Sequence, residues 1–341
     1  AIVNNIVSGT QQICSGSTPT TLTGTVPTGG NGSYGYQWQM STDNVVFTDI
    51  TSANSQNYSP TALTQTTYYL RIVTSGGCID NSAVVQVTVN PLPMVSNFTA
   101  VGLNNACIGT AAVVTVSSTT LAAGAYTVTY DISGTNTATG NTSSMTFASG
   151  SGTFTTSVLS NAGSTTVTIT SITNQSTSCN SSLSTGNSTS ATIASAPVVT
   201  ATVQQCMNAS ASDYYYVSVS ASGGTTPYTW SGSPVMSVAN SNKVYEQLDG
   251  TSYAYTVTDT HGCAGTSNVV TKYTFNGNGN WDKNSNWLNY TIPPLTLPSG
   301  YSILIDPTVS GQCNLNVTQT ISQGATIEVN KSKTFVVPGS L

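Results

Sequence analysis

The side chains in this sequence best suited to chemistry are seven cysteines, one histidine, eleven scattered carboxylates and a close tryptophan pair. The cysteines stand at 14, 78, 107, 179, 206, 263 and 313. No two are near enough for a CxxC knuckle, and a single histidine cannot complete a Cys/His zinc set. His261 lies in "DTHGC", a turn beside a cysteine, and no G-x-S-x-G elbow supplies a nucleophile for it. The carboxylates come one or two at a time, so none is singled out as half of a glycosidase pair. "GGNGSYG" (Gly29–Gly35) opens no helix and reads as a hairpin loop, not a phosphate cradle. The chain is therefore read as a non-enzyme, with no catalytic residue, metal or cofactor expected.

Two weaker constellations lie near the C-terminal end. "DKNSN" puts Asp282, Asn284 and Asn286 at positions 1, 3 and 5 of a calcium loop. Trp287 at position 6 and Pro293 at position 12 exclude an EF-hand and leave only a looser site of loop oxygens. Trp281 and Trp287 offer either a stacking platform for a sugar or a plug for a core or joint.

The cysteines also reveal a repeat. Trp38 ("YQW") follows Cys14 by 24 residues, and Trp230 ("YTW") follows Cys206 by 24. Tyr68 precedes Cys78 by ten residues and Tyr253 precedes Cys263 by ten. A looser copy sets Tyr130 23 residues after Cys107 and Ile169 ten before Cys179. Such repetition means an array of like domains. Each unit alternates Val, Ile, Tyr and Thr with polar residues, with turn signals every 8–12 residues, as in a β-sandwich. The spacing predicts one disulfide per unit: Cys14–Cys78, Cys107–Cys179 and Cys206–Cys263. Disulfides in turn predict an oxidising, extracellular location. "NPLPMV" and "ASAPVVT" read as short, stiff joints.

Charged residues make up only 5% of the chain, and net charge is −5. The six cations, Arg71, Lys243, Lys272, Lys283, Lys331 and Lys333, are scattered, which argues against nucleic acid or an anionic membrane surface as partner. No apolar run approaches the ~20 residues of a membrane span. The absence of an initiator Met at Ala1 predicts a mature exported chain whose leader is gone.

The stretch "YGYQWQMSTDNVVFTDITSANSQNYSPTALTQTTYYLRIVTSGGC" resembles the Ig-like or PKD-like repeats of secreted Bacteroidetes surface proteins and adhesins. Its Tyr36/Trp38, Ser41/Asp43, Tyr58–Pro60, Thr66–Arg71 and Cys78 carry the likeness, which is strongest over Ser8–Pro91. The resemblance implies type IX export, no catalytic residues, and a role in adhesion, gliding or surface-layer construction. A "YPNP"-type sorting module, which those proteins carry, is not seen.

After Lys272 the character changes. "FNGNGNWDKNSNWLNYTIPP" and the short strands after it resemble the opening of a parallel β-solenoid in the same proteins. Two or three rungs fit before Leu341, which leaves a strand edge to be covered by more protein or by another chain. "AIVNNIV" at the other terminus is either the first strand of its own sandwich or a strand donated to a neighbour's open edge. In the second case Ala1, Ile2, Val3, Ile6 and Val7 would meet Phe335, Val336 and Val337 and build a filament. Cys313 is then either an intermolecular partner or a buried thiol.

The sequence thus predicts an all-β chain of tandem Ig-like sandwiches with a short C-terminal β-solenoid-like module: residues 1–91, 92–196, 197–271 and 272–341. The expected role is an extracellular or cell-surface stalk, or a self-associating filament subunit. The alternative is a polysaccharide-binding accessory region of a larger secreted enzyme or adhesin.

Overall fold

The computed structural model describes residues 1–104, 106–206, 214–233, 243–244, 250 and 252–338. Among them the regular structure is strand, apart from two single 3₁₀ turns at Asn284–Asn286 and Leu288–Tyr290. The described residues are all-β and form β-sandwiches followed by short parallel ladders. Contacts divide it into two compact units. The first holds Ala1–Asn104, Ala112–Ser157 and Ser164–Ala191; the second holds Asn105–Ala111, Val158–Gly163 and Thr192–Leu341.

The first sandwich runs through β1 (Ile2–Val3), β2 (Val7–Ser8), β3 (Gln11–Cys14), β4 (Thr23–Gly24), β5 (Thr28–Gly29), β6 (Gly35–Ser41), β7 (Thr48–Asp49), β8 (Thr67–Ser75), β9 (Cys78–Asn81) and β10 (Val85–Asn90). One sheet has the order β3-β10-β8-β6-β7, with β9 hairpinned on β8; β1–β5 and β2–β4 form small ladders of their own. Alternation along β10 (VQVTVN) buries Val85 and Val87, which join Val7, Leu22, Trp38 and Tyr69 in one core. Trp38 is fully buried and its indole N–H donates to Ser55 O at 2.9 Å. Arg71 is fully buried as well. Its guanidinium donates to Asn5 Oδ1, Gln56 O and Thr25 O and lies over the Tyr36 ring at 5.0 Å.

The second sandwich comprises β11 (Phe98–Leu103), β12 (Thr110–Ser118), β13 (Gly124–Gly134), β14 (Ala138–Ala148), β15 (Ser151–Leu159), β16 (Gly163–Asn174), β17 (Asn180–Ser182) and β18 (Ser188–Ile193). The order is β11-β12-β15-β14-β13-β16-β17, with β18 on β16. Strict alternation on β13 buries Tyr126, Val128, Tyr130 and Ile132.

The third sandwich holds β19 (Val198–Cys206), β20 (Tyr214–Ser222), β21 (Thr229–Ser233), β22 (Lys243–Val244), β23 (Ser252–Thr258), β24 (Ala264–Thr266) and β25 (Val270–Phe275). Tyr253, Tyr255, Val257 and Val219 form its core, and Trp230 packs against them half-buried.

The C-terminal region adds β26 (Gly279–Asn280), β27 (Thr296–Leu297), β28 (Tyr301–Ile305), β29 (Gln312–Asn314), β30 (Thr320–Ile321), β31 (Thr326–Val329) and β32 (Thr334–Val336). They stack in parallel ladders: β25-β28-β31, β26-β29-β32 and β27-β30. The side chains inside this coil form one cluster of Phe275, Trp281, Trp287, Leu297, Ile303, Ile305 and Cys313.

The expected division at 271/272 falls inside β25. This strand pairs antiparallel with β23 on one edge and parallel with β28 on the other. All six of its residues are buried, as befits a strand covered on both faces. The third sandwich and the coil therefore share one sheet.

Candidate functional site: interlaced cystine joints

The cysteines do not pair within their own sandwiches. Cys14 is bonded to Cys179 and Cys107 to Cys263. The expected Cys14–Cys78, Cys107–Cys179 and Cys206–Cys263 bonds are replaced by bonds from one sandwich to the next in sequence. Cys78 and Cys313 are free thiols, and the Cys206 side chain lies outside the described residues.

Strand register explains the correction. β3 runs parallel to β10 with Cys14 opposite Asn90, beyond the start of β8. Cys78 faces Ser75 at the other end of β8. About eleven residues of strand separate the two levels, roughly 35 Å at ~3.3 Å per residue. A cystine needs its Cα atoms within ~7 Å, and the two observed cystines have Cα–Cα distances of 5.5 Å. The cysteines of one sandwich sit at opposite ends of its sheet, so each finds its partner in a different sandwich.

The two joints share the same three backbone hydrogen bonds. Cys14-Ser15-Gly16-Ser17 and Cys107-Ile108-Gly109-Thr110 are both C-x-G-[S/T] turns. Ser17 N donates to Cys14 O and Thr110 N to Cys107 O, at 3.0 and 3.1 Å. Ser15 N donates to Asn90 O and Ile108 N to Ala194 O, at 2.9 and 3.0 Å. Gly16 N reaches Leu63 O and Gly109 N reaches Leu159 O, both at 2.7 Å. Gly16 and Gly109 have φ of +86° and +79°, a conformation that disfavours a side chain and accounts for glycine there. The receiving sulfurs match too: Cys179 Sγ lies 4.0 Å from Asn90 O and Cys263 Sγ 4.0 Å from Ala194 O. Both receiving cysteines are completely buried.

The receiving turns are braced by side chains. Ser181 Oγ donates to Pro93 O at 2.7 Å beside the first joint. At the second, the Asp259 carboxylate accepts from the backbone N–H groups of His261, Cys263 and Thr225, at 2.9, 2.9 and 3.0 Å. Burial pushes the Asp259 pKa up, but these hydrogen bonds, with a contribution from His261, outweigh it and leave the pKa below the ordinary value. His261 itself is exposed and serves the turn through its backbone. An open hollow of about 380 Å³, lined by Gly163, Thr192, Ser195, Thr225 and His261 among others, lies in the second unit. It gathers no set of acids or nucleophiles.

The remaining expected site residues fall as follows. Trp281 and Trp287 are 1% and 2% exposed, so the sugar platform is overturned. Their rings meet edge to face at 4.7 Å, and the Trp287 indole N–H donates to Trp281 O at 2.7 Å. They are the core of the coil because its parallel ladders close around them. Asn286 braces the backbone of Asn278 and Asn280, and among the described residues no group of three His, Cys, Asp or Glu side chains forms a metal set. Cys313 is buried in the same core, and burial pushes its pKa to about 12.

The N-terminal segment is built into its own sandwich. Ile2 and Val7 are buried, β1 pairs with β5 and β2 with β4, and Asn5 holds Arg71. Ala1, Val3 and Ile6 are exposed. Of the expected contacts near the other terminus, Val336 is exposed, Val337 is half-buried and half-buried Phe335 packs on Trp281 at 5.9 Å.

No helix among the described residues is long and apolar enough to cross a membrane. A family profile described as a domain of unknown function (DUF8696) matches residues 3–91. No curated protein matches the sequence. Similar solved structures include a C-terminal 282-residue fragment of intimin in complex with the intimin-binding domain of its translocated receptor, at 15% identity and a TM-score of 0.30. That alignment covers 52% of this chain and 63% of the fragment. Sidekick-1 immunoglobulin domains 1–5 align at 12% identity and a TM-score of 0.29, over 78% of this chain and 57% of that one. CBD12 from CALX1.2 aligns at 12% and 0.19, over 50% and 79%. The chain thus spans less than two thirds of the intimin and Sidekick-1 structures. The match to residues 3–91 coincides with the first sandwich, whose Cys14 opens the first joint.

Proposed function

We propose that this chain is part of an extracellular stalk that holds an adhesive or structural protein at a cell surface. One observation carries the reading: both cystines join a sandwich to the next one in sequence, and they cross in the order 14–107–179–263. A cystine within a sandwich would mainly limit unfolding of that sandwich. A cystine between sandwiches fixes a joint, which matters when the joint carries force. Disulfides also fit an oxidising compartment. The parallel ladders after β25 are read as the opening turns of a β-solenoid that extends the stalk from the sheet of the third sandwich.

Low charge completes the picture. With 5% charged residues, attachment rests on few ion pairs that salt can screen. The test uses intact producing cells and an antibody that cannot cross membranes. Labelling of whole cells that persists in ~1 M NaCl is expected. Labelling only after the cells are broken would overturn the reading.

A further inference from the structure

Cys78 holds, in the first sandwich, the place of Cys179 in the second and Cys263 in the third. Each lies at the turn where a short strand hairpins back on a long one: β9 on β8, β17 on β16 and β24 on β23. Two of these three cysteines are bonded to the C-x-G cysteine of the sandwich before. They are fully buried, whereas Cys78 is half-buried and free. Apolar surface flanks it: Ile79 is 71% exposed, and Val3, on the β1 strand that packs beside β9, is 56% exposed.

From this repetition we infer that Cys78 is the receiving half of a third joint of the same design. It bonds the C-x-G cysteine of a further Ig-like sandwich that lies ahead of the first. The partner is a sandwich and not a small thiol, because a receiving cysteine meets two things together. One is the sulfur of the C-x-G turn; the other is the carbonyl at the end of that sandwich's last strand, as Asn90 O and Ala194 O show. The partner is not the third sandwich of a second copy. There β19 runs straight to Cys206, paired with Tyr214, and β28 fills the slot beside the last strand that the C-x-G segment fills elsewhere. The inference rests on joint geometry and holds whether or not the chain is a surface stalk.

The bond forms by two exchanges with a disulfide carrier, the class of oxidant that Cys14–Cys179 also requires. One protein thiolate attacks the carrier disulfide and releases one thiol. The second protein thiolate then displaces the other carrier sulfur. One S–S bond breaks and one forms, and the two protons leave on the two carrier thiols.

The test uses the protein isolated from its producing cells, broken in iodoacetamide to cap free thiols and digested without reductant. Mass spectrometry is expected to find the Cys78 peptide joined to a peptide containing Cys-x-Gly from another sandwich. A gel run with and without reductant then separates the two sources. A fall in mass on reduction places the partner on a separate chain, and no fall places it in the same polypeptide; both support the inference. Alkylated Cys78, or Cys78 joined to Cys14, Cys206, Cys313 or a small thiol, would overturn it.

Discussion

Cys14 and Cys179 lie 165 residues apart in sequence and are bonded to each other, and Cys107 and Cys263, 156 apart, are bonded across them. The chain between Cys14 and Cys263 is therefore a covalent ladder. Each cystine closes a loop worth ~5 kcal/mol on the chain-entropy account. The greater consequence is mechanical, since the shortest covalent path from Ala1 to Leu341 crosses both cystines, runs back from Cys179 to Cys107, and omits residues 15–106 and 180–262. Single-molecule pulling between the termini should give a limiting length shorter by roughly 610 Å, at ~3.5 Å per residue, than after reduction. The double variant Cys14→Ser/Cys179→Ser should recover only about 70 Å of that length without reductant, because Cys107–Cys263 alone still bypasses residues 108–262.

Arg71 ties the N-terminal segment to the first sandwich through Asn5, Thr25 and Gln56. Replacing it by Met would leave buried acceptors without donors, and removal of one partner from such a network costs about 3 kcal/mol. Chemical denaturation followed by Trp38 fluorescence should show that loss. Cleavage near Ala1–Ile6 by a nonspecific protease should quicken as well.

Trp281 fills the centre of the coil, so Trp281→Ala should destabilise that region by about 3–5 kcal/mol. The same burial predicts that added polysaccharide leaves tryptophan fluorescence of the native protein unchanged. Quenching would restore the sugar platform.

The two described free thiols should react very differently. Cys78 is half-buried in a surface turn, while Cys313 has no exposed surface and a pKa pushed to about 12 by burial. The thiolate is the reactive form. Brief alkylation of residues 1–341 produced alone, with no further sandwich to pair with Cys78, should label Cys78 and spare Cys313, and labelling of Cys313 should await unfolding.

Asp43 gives an acid-side test. Hydrogen bonds from the backbone of Val46, then Val45, and from the Ser41 hydroxyl lower its pKa from 3.8 to about 2. A carboxylate depressed on folding stabilises the fold above the unfolded value of 3.8, and that share is lost as pH falls through about 2. The urea midpoints of the native protein and Asp43→Asn should differ at pH 6 and converge near pH 2.

Much of the fold was legible because the cores announce themselves. Tyr126, Val128, Tyr130 and Ile132 alternate with polar residues, and Trp38 marks the centre of the first sandwich. Trp230, at the matching place in the repeat, is only half-buried, so equal spacing did not carry equal burial. The cystine joints were hidden for a topological reason. The repeat shows which cysteines are equivalent but not which are near, and six cysteines allow fifteen connectivities. Only the parallel register of β3 on β10 reveals that Cys14 and Cys78 lie at opposite ends. The shared C-x-G turn of Cys14 and Cys107 was the available signal. Likewise, the change of composition at Lys272 concealed that Val270–Phe275 is one strand, paired on both edges.

The most direct test is a disulfide map of the purified chain, digested at acidic pH to prevent exchange and read by mass spectrometry without reduction. The account predicts peptides joined through Cys14–Cys179 and through Cys107–Cys263. Peptides joined through Cys14–Cys78 and Cys107–Cys179 would contradict it and return each cystine to its own sandwich.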